Sequence, residues 1–401
     1  MTQAIALIYE TMPPSSGGGS APRGDAFVRA LVAEGAFGPV TVYCATAEPT
    51  PIDGVELISV GNQSAGNQRL LARLGGELLL GLRLAIKAFG RDRDVFWLVS
   101  TPSYLAMLVV VFALKLRGIR YALDVRDIYP QAYIAAGLVK PGGFLARIFT
   151  GLSRRAYAGA TVIIAATEGL TKTLRLQGVQ VPVHTIINGY SRGRESVAPD
   201  LHQRFTVCFH GVLGYFQDNA SLLAVGRQLA AHDIDLVVIG YGRDAGLFEN
   251  VDVPNIRFLG RLSQERTIEE VARCHVGISL RKDEEISADS FPVKVWEYLG
   301  LGMPTLVAPR SDAGDFVSHH GCGYNLAAGD IDAAVAHIVA LRDDLALYRS
   351  MQQSALTAVA PYSRARQAGV MAQLLADAAT GRATMDETPA SLVAGNIPPQ
   401  T

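Results

Sequence analysis

The chain has 401 residues, of which 49% are hydrophobic and 18% are charged, and its formal net charge is −1. That length suits two domains of ordinary size, each with its own core. The near-neutral balance gives no reason to expect nucleic acid or an acidic polymer as the partner.

Short β-branched runs alternate with helical stretches along the chain, a pattern typical of parallel sheets built from βαβ units. The first run, residues 4–9, has no basic segment before it, so it is predicted to be a strand and not part of a signal peptide. The longest apolar run, residues 105–114, is far shorter than the roughly 20 residues of a membrane span. The other predicted strands lie at 40–45, 55–60, 94–100, 120–124, 161–166 and 184–188, then at 205–210, 235–240, 256–259, 276–280 and 304–308.

Glycine ends many of the helices between these strands, because a left-handed residue closes a helix at little cost. Gly35, Gly118, Gly178 and Gly302 hold such positions. Strand–helix series of this kind predict doubly wound sheets, which bind ligands at the carboxyl ends of their strands. With two such domains, we expect the functional residues directly after strands, lining a cleft between the domains.

A glycine-rich loop, residues 15–20, follows the first strand. Glycines such as Gly18 and Gly19 let backbone approach a ligand closely, although a flexible linker has the same composition. A dinucleotide site would place an acidic residue at the end of the second strand, where Cys44 and Ala45 stand instead. A nicotinamide or flavin is therefore disfavoured, and no cofactor is expected.

The segment 69–93 is basic and apolar together. At about 100° per residue, its cations fall on one side of a helix, with leucines opposite. Such a helix is typical of peripheral attachment to an anionic membrane, and an ordinary surface helix with its apolar side on the sheet is the alternative. The glycine pair 75–76 is a candidate break. The basic residues are Arg69, Arg73, Arg83, Lys87 and Arg91.

Three charged residues lie at the carboxyl end of the fifth predicted strand: Asp124, which ends it, and Arg126 and Asp127, which follow it. Charges at the carboxyl end of a strand suit a ligand site, and a salt-bridged turn is the alternative. Farther along, the polar segment 191–203 separates two complete strand–helix series. The predicted divisions are an N-terminal Rossmann-like domain at 1–192, a second one at 204–360, a helix at 361–379 packing back on the first domain, and a disordered tail at 380–401.

The most informative segment is residues 288–307. Asp289 or Ser290 can cap a helix there, Pro292 suits its first turn and Gly302 ends it. A helix N-terminus gathers free N–H groups and positive potential, which suit a diphosphate. Lys294 adds a cation in the first turn, and Glu297 follows Asp289 by eight positions. A capped helix with a buried glutamate is the structural alternative.

This segment resembles the E-x7-E motif of retaining family 4 glycosyltransferases, in the P-x-K-x-x-E-Y-L-x-x-G-x-P form of polysaccharide-assembly members. The resemblance implies that Asp289 meets the donor sugar and that Glu297 holds the ribose. Aspartate at position 289 is one methylene shorter than the family's glutamate. Segments 209–214, 237–242, 258–261, 124–130 and 188–190 resemble other family elements, so the likeness runs from about residue 4 to 378.

Two departures from the family change the predicted site. Many members hold the diphosphate with an arginine and a lysine after the first strand of the second domain, where segment 214–219 has no cation. We expect Arg281, Lys282 and Lys294 to replace them. Many members also carry an N-domain histidine near the reacting sugar, but the first histidine here is His184. We therefore expect Asp127 in that role.

No metal is expected. The D-x-D sequences at 92–94, 233–235 and 330–332 precede strands or begin helices, which is the wrong end for a metal-bridged diphosphate. The adjacent His319 and His320 are predicted to point apart on a helix. The four cysteines contain no C-x-x-C pair, so neither zinc nor disulfides are predicted, and reduced cytosolic thiols are favoured.

Together with this resemblance, which implies the GT-B fold, retention and surface polysaccharide synthesis, the sequence predicts an enzyme that transfers a sugar without metal from a nucleotide-sugar donor to a saccharide or lipid-linked acceptor. It is expected in the cytoplasm or on the inner face of the membrane. A nucleotide-sugar 2-epimerase and a silent scaffold are the alternatives. The predicted catalytic residues are Asp127 and Asp289. The predicted donor-binding residues are Gly18, Gly19, Gly211, Gly214, Arg281, Lys282, Ser290, Phe291, Pro292, Lys294 and Glu297.

Overall fold

The computed structural model describes residues 3–14, 20–61, 70–90, 93–100, 103–135, 137–197, 200–288 and 290–382. The chain forms two compact units. The first contains residues 1–188 together with the segment from residue 364 onward, and the second contains residues 189–363. Each unit is an α/β structure around one parallel sheet, which confirms the predicted fold class.

The first sheet has seven parallel strands in the order β3-β2-β1-β4-β5-β6-β7. The strands are β1 (Ile5–Ile8), β2 (Val40–Cys44), β3 (Val55–Ser59), β4 (Phe96–Ser100), β5 (Tyr121–Val125), β6 (Val162–Ala165) and β7 (Val183–Thr185). The helices are α1 (Ser20–Glu34), α2 (Leu70–Phe89), α3 (Tyr104–Leu116), α4 (Gln131–Ala135), α5 (Phe144–Ala158) and α6 (Glu168–Leu176).

The second sheet has six parallel strands in the order β10-β9-β8-β11-β12-β13. They are β8 (Thr206–Val212), β9 (Asp235–Tyr241), β10 (Ile256–Phe258), β11 (Val276–Leu280), β12 (Thr305–Ala308) and β13 (Gly323–Asn325). The helices are α7 (Asn219–Leu229), α8 (Gly246–Glu249), α9 (Gln264–Ala272), α10 (Glu285–Ala288), α11 (Val293–Gly300), α12 (Asp312–His319), α13 (Ile331–Asp343) and α14 (Leu345–Val359).

The last described helix, α15 (Arg364–Thr380), returns to the first unit. Its buried Ala368, Met371 and Leu375 share a core with Phe27 and Leu31 of α1. On the opposite face of the same sheet, α2, α3 and α5 bury a second core. Helices therefore cover both faces, which is why β1, β2, β4 and β5 are buried along their whole length.

All twelve predicted strands are present, with ends that differ by a few residues. Strand β7 stops at Thr185 and not at residue 188, because only three of its residues pair with β6. The edge strand β13 was missed, since its three residues form no β-branched run. The predicted helix-ending glycines are confirmed: Gly35, Gly118, Gly178 and Gly302 all have φ between 59° and 79°.

The structure of helix α2 differs from what was predicted for the basic segment 69–93. It continues through the glycine pair 75–76 without a break. Its buried side includes Leu80, Leu84 and Ala85, and of the leucines predicted to face the sheet only Leu74 packs against the core among the described residues. Leu78 and Leu82 are exposed. The helix packs tightly on α3, because a Cβ at Gly81 would lie 2.8 Å from the Ala106 Cα.

The start of α11 also differs from the prediction. Pro292 is the N-cap residue, with φ of −60° and ψ of 136° and without a side-chain cap, so the helix begins one residue after it. Ser290 does not cap the helix, because its hydroxyl donates to the Ser287 carbonyl oxygen at 2.8 Å. The other predicted cap, Asp289, lies outside the described residues.

Candidate active site

The carboxyl ends of β8 and β9 form a ledge of bare backbone. Gly211 has φ of +124°, and a Cβ at Gly240 would collide with the Gly211 carbonyl oxygen. Gly242 has φ of +137°, and a Cβ there would lie 2.6 Å from the Leu213 carbonyl oxygen. Only glycine fits these positions. Gly240 is buried, whereas at Gly211 and Gly242 the backbone carries no side chain at the edge where a parallel sheet binds its ligands.

Lys294, in the first turn of α11, lies beside this ledge. A Cβ at Gly211 would be 3.7 Å from the Lys294 Nζ. The ammonium donates to the Gln217 Oε1 at 3.1 Å and lies 3.7 Å from the centre of the Phe209 ring. Burial, and then the neighbouring charge of Arg281, hold the pKa of Lys294 well below its usual 10.5. Burial and a neighbouring cation therefore both disfavour the charged form of this lysine, and an anionic ligand would stabilise that form.

Arg281 and Lys282 follow directly after β11 and contact the same loop. Arg281 pairs with Gln217 in an antiparallel bridge, and its guanidinium carbon lies 5.9 Å from the Phe216 ring centre. The Lys282 Nζ lies 4.5 Å from the ring centre of Tyr215. The loop at 214–217, where Gly214 accepts a backbone bond from Gln217 at 3.1 Å, carries no cation of its own. The structure thus gathers all three predicted replacement cations around it.

Segment 290–292 leads from these cations into α11. The Ser290 hydroxyl accepts a hydrogen bond from Arg281 Nη1. The Phe291 ring stacks on Trp296 with centroids 4.0 Å apart, and it meets Phe316 edge-on. This ring is therefore committed to packing, which leaves the backbone of segment 290–294 to contact a donor. In the first turn of α11 the Val295 N–H donates to the Pro292 carbonyl oxygen at 2.9 Å, whereas the N–H groups of Val293 and Lys294 precede any acceptor within the helix. This end of the helix therefore suits an anion.

Glu297 is buried in α11, with 3% of its surface exposed. Its Oε2 accepts hydrogen bonds from both the backbone N–H and the hydroxyl of Ser191, at 3.0 and 2.8 Å. The carboxylate thus fastens the first residues of the second unit to α11. Ser191 was not identified from the sequence, because a serine 106 positions away gives no local signal. Asp289, the predicted partner of Glu297, lies outside the described residues, as do Gly18 and Gly19.

Two further residues, His210 and Tyr298, hold α11 against the sheet. The Tyr298 hydroxyl accepts from the backbone N–H of His210 at 3.1 Å. The Tyr298 ring packs on Gly277 of β11, where a Cβ would clash with it. Burial, then the charge of Lys294, lower the pKa of His210 to about 3, so this imidazole is neutral. Sequence reasoning missed both roles, although Tyr298 belongs to the E-Y-L part of the motif.

The carboxyl edge of the first sheet is organised by a buried ion pair. Arg23 Nη2 lies 2.8 Å from Asp124 Oδ1, and the two side chains are 1% and 0% exposed. Ser100 donates to the same carboxylate at 3.0 Å, and Arg23 Nη1 donates to Asn188 Oδ1 at 3.3 Å. Asp124 is therefore a structural residue that ties β5 to α1. Asp127, just beyond the end of β5, is half-buried and remains the predicted catalytic candidate of this edge.

The predicted absence of a metal site was based partly on histidine geometry. The rings of His319 and His320 do not point apart, as predicted, but meet edge-to-face with centroids 5.0 Å apart. They meet because α12 ends at His319 and His320 is its cap. Within the described ranges, no group of three or more His, Cys, Asp or Glu side chains is placed to hold a metal ion. No helix there is long and apolar enough to cross a membrane.

Solved structures of low sequence identity share this fold. HepE from Anabaena, in complex with UDP and glucose, is 16% identical with a TM-score of 0.64, covering 93% of this chain and 99% of that one. Sucrose-phosphate synthase from Thermosynechococcus elongatus is 14% identical with a TM-score of 0.68, covering 93% and 98%. WaaG, a glycosyltransferase involved in lipopolysaccharide biosynthesis, is 14% identical with a TM-score of 0.64, covering 92% and 99%. No curated protein matches the chain.

Two family models match successive parts of the sequence. The glycosyl transferase 4-like domain matches residues 18–189, and the glycosyl transferases group 1 model matches residues 204–344. The first match lies in the seven-stranded unit and the second in the six-stranded unit. Together they cover most of the chain, in the order in which the two sheets occur. The chain therefore belongs to the GT-B glycosyltransferases.

Proposed function

We propose that this enzyme transfers a sugar from a nucleoside diphosphate sugar, with retention and without a metal ion, to a saccharide or lipid-linked saccharide. The observation that carries the proposal is the cluster formed by Arg281, Lys282 and Lys294 around the glycine ledge and the start of α11. Three cations, bare backbone and a helix N-terminus converge on a loop that has no positive charge of its own. A diphosphate is the ligand that such an arrangement suits best.

The motif at the start of α11 indicates which residues would hold the ribose and the sugar of the donor. Glu297 holds the ribose hydroxyls and Asp289 meets the sugar, as the resemblance implies. The contact of Glu297 with Ser191 supports a second role for this carboxylate, because it positions the segment that enters the second unit. Ribose binding and segment positioning are compatible, since an ionised carboxylate has about four acceptor sites.

The chemistry rests on the leaving group. The bond between the sugar C1 and the phosphate oxygen breaks, and the electron pair remains on the diphosphate. The acceptor oxygen bonds to C1 on the same face, and its proton passes to the departing phosphate oxygen. Arg281, Lys282 and Lys294 stabilise the charge that develops there, in the role a metal has in other enzymes. Asp127 orients the acceptor hydroxyl from the first unit.

The position of the D-x-D sequences supports metal independence. Asp235 begins β9 and Asp233 precedes it, so this pair lies at the amino end of its strand. Asp330 caps α13, where its carboxylate accepts from the Ala333 N–H at 3.2 Å. The third pair includes Asp92, which is outside the described residues, and Asp94, which precedes β4. A metal-binding pair of aspartates would be needed at the carboxyl edge of the sheet, and the residues at that edge are the cations Arg281 and Lys282.

We place the reaction in surface polysaccharide assembly, on the cytoplasmic side of the membrane. The likeness to WaaG supports this setting, because that protein is described as acting in lipopolysaccharide biosynthesis. The polysaccharide-assembly form of the α11 motif supports it as well. The identity of the sugar is the next experimental question.

The test is a donor screen on the intact protein. Thermal unfolding is measured with UDP-, GDP- and dTDP-sugars, and ligand at about 100 times its dissociation constant adds roughly 2.7 kcal/mol of stability. A stabilising donor is then incubated with and without saccharide acceptors, and the products are identified by mass spectrometry and NMR. We expect a new glycosidic bond with the donor's anomeric configuration. An epimerised donor sugar formed without acceptor, or no stabilisation by any donor, would contradict the proposal.

A further inference from the structure

Helix α2 has a second apolar side that faces away from the protein. Successive residues of a helix are about 100° apart, and one arc of about 100° on α2 contains Leu78, Leu79, Leu82 and Ile86. Their side chains are 45%, 50%, 47% and 71% exposed. The buried side of the same helix is already occupied by Leu80, Leu84 and Ala85. Packing on the sheet therefore leaves a complete leucine–isoleucine stripe without a role in the core.

The beginning of α5 repeats this arrangement on the same face of the sheet. Phe144, Leu145 and Ile148 lie on one side of the helix and are 78%, 44% and 39% exposed. Both α2 and α5 contribute to the core that α3 shares. Helices α2 and α5 both pack on α3, and a monomer rarely leaves so many large apolar side chains exposed on one face without a binding partner.

The charges around these two apolar stripes indicate which kind of partner would bind them. Helices α2, α3 and α5 together contain seven basic residues and one acidic residue, whereas the whole chain has a net charge of −1. The acidic residue, Glu77, is buried and accepts from the Leu105 N–H and the Tyr133 hydroxyl. The exposed Arg83 and Lys87 flank the α2 stripe, and the exposed Arg147 flanks the α5 stripe.

We propose that the exposed stripes of α2 and α5 form a docking surface for an anionic lipid bilayer, with the leucines inserted and the basic residues at the headgroups. Apolar side chains flanked by arginine and lysine match the acyl boundary and the charged layer of such a membrane. A second copy of this chain is disfavoured as the occupant, because two such faces would bring their positive charges together. The two alternatives for this helix, membrane attachment and packing on the sheet, are therefore compatible, because α2 has one apolar side for each.

The test uses the intact protein and vesicles of phosphatidylcholine, with or without about one third phosphatidylglycerol. The apolar variants are Leu82→Gln/Ile86→Gln and Phe144→Gln/Ile148→Gln, and the basic variant is Arg83→Gln/Lys87→Gln. Leu176→Gln/Leu345→Gln is the matched control, since both leucines are exposed on other helices. Sedimentation with vesicles is measured at low and high salt, and UDP binding reports on the fold and on the donor site.

We expect the parent to bind anionic vesicles and each apolar double variant to bind about tenfold or more weakly at both salt concentrations. The basic variant should lose binding mainly at low salt, because salt screens charges and not apolar insertion. The control variant should bind like the parent, and every variant should bind UDP equally. UDP binding tests the donor-site proposal and vesicle binding tests the membrane proposal, so either proposal can fail without affecting the other.

A tryptophan probe measures insertion directly. The two native tryptophans, Trp97 and Trp296, are buried, so Leu82→Trp places one exposed reporter on the stripe. Its emission should be quenched by brominated lipid in anionic vesicles. The proposal is overturned if the parent ignores anionic vesicles, if the control variant loses as much binding as the apolar variants, or if Leu82→Gln/Ile86→Gln converts a stable dimer into a monomer.

Discussion

Replacing Lys294 with methionine should weaken diphosphate binding while leaving the protein equally or more stable. Lys294 is 8% exposed, and burial, followed by the nearby charge of Arg281, holds its pKa well below 10.5. In the free protein this charge is costly, because burial removes its hydration and a like charge lies close by. Methionine has a similar length and no charge, so the free protein loses the bond to Gln217 and the cation–π contact with Phe209.

The expected loss of UDP affinity follows from the hydrogen bond that Lys294 would donate to the diphosphate. A hydrogen bond to a charged group contributes roughly 1.5–3 kcal/mol, so affinity for UDP should fall by about ten- to a hundredfold. Lys172→Met is the control, since Lys172 is an exposed lysine on α6 of the other unit. Calorimetric titration measures affinity, and thermal unfolding measures stability. Unchanged UDP affinity, or a clear loss of stability without ligand, would refute this reasoning.

The same lysine predicts a pH dependence with a defined sign. Because its pKa is lower in the folded than in the unfolded protein, the unfolded state binds more protons between the folded value and 10.5. Stability should therefore rise with pH through that window, as the buried charge is relieved. Diphosphate affinity should fall over the same range, because binding then requires proton uptake by the neutral amine. Lys294→Met should remove both dependences, which titrations at several pH values would detect.

Three further predictions concern other parts of the account. Glu297→Ala should remain folded and lose about ten- to a hundredfold in nucleotide affinity, whereas Ser191→Ala should leave affinity largely intact if the ribose is the main partner of Glu297. Equal affinity of Glu297→Ala and the parent in a titration would remove the ribose assignment. Turnover should survive EDTA, and activity that stops on chelation and returns with Mn²⁺ would disprove the metal-free mechanism. Asp124→Ala should lower the free energy of unfolding by about 3–5 kcal/mol in urea, since it leaves Arg23 buried without its carboxylate, and a loss below about 1 kcal/mol would contradict that reasoning.

Much of the fold could be predicted because its signals are local. The buried parallel strands are short β-branched runs, and glycines with positive φ end the helices. The replacement cations were predicted from the resemblance, because many family members carry an arginine and a lysine where segment 214–219 has no cation. Their meeting around Gln217 and Tyr215 depended on strand order, which places the ends of β8 and β11 side by side.

The site contacts that the sequence did not predict have a common cause, which is pairing between residues far apart in the chain. Arg23 and Asp124 are 101 residues apart, and Ser191 and Glu297 are 106 apart, so no local pattern connects them. Helix α2 was misjudged because leucine spacing alone does not say which of two apolar sides is buried. The close approach at Gly81 selects the side that meets α3, and only the fold supplies that contact.

The most direct test of the central claim is a crystal structure of the enzyme with UDP. The account predicts the diphosphate at the glycine ledge, with its oxygens within about 3 Å of the Lys294 ammonium, the Arg281 guanidinium and a first-turn N–H of α11. The ribose should lie within hydrogen-bonding distance of Glu297. A diphosphate bound at the carboxyl edge of the first sheet, or bound in the second unit without contact to Lys294 and Arg281, would contradict it.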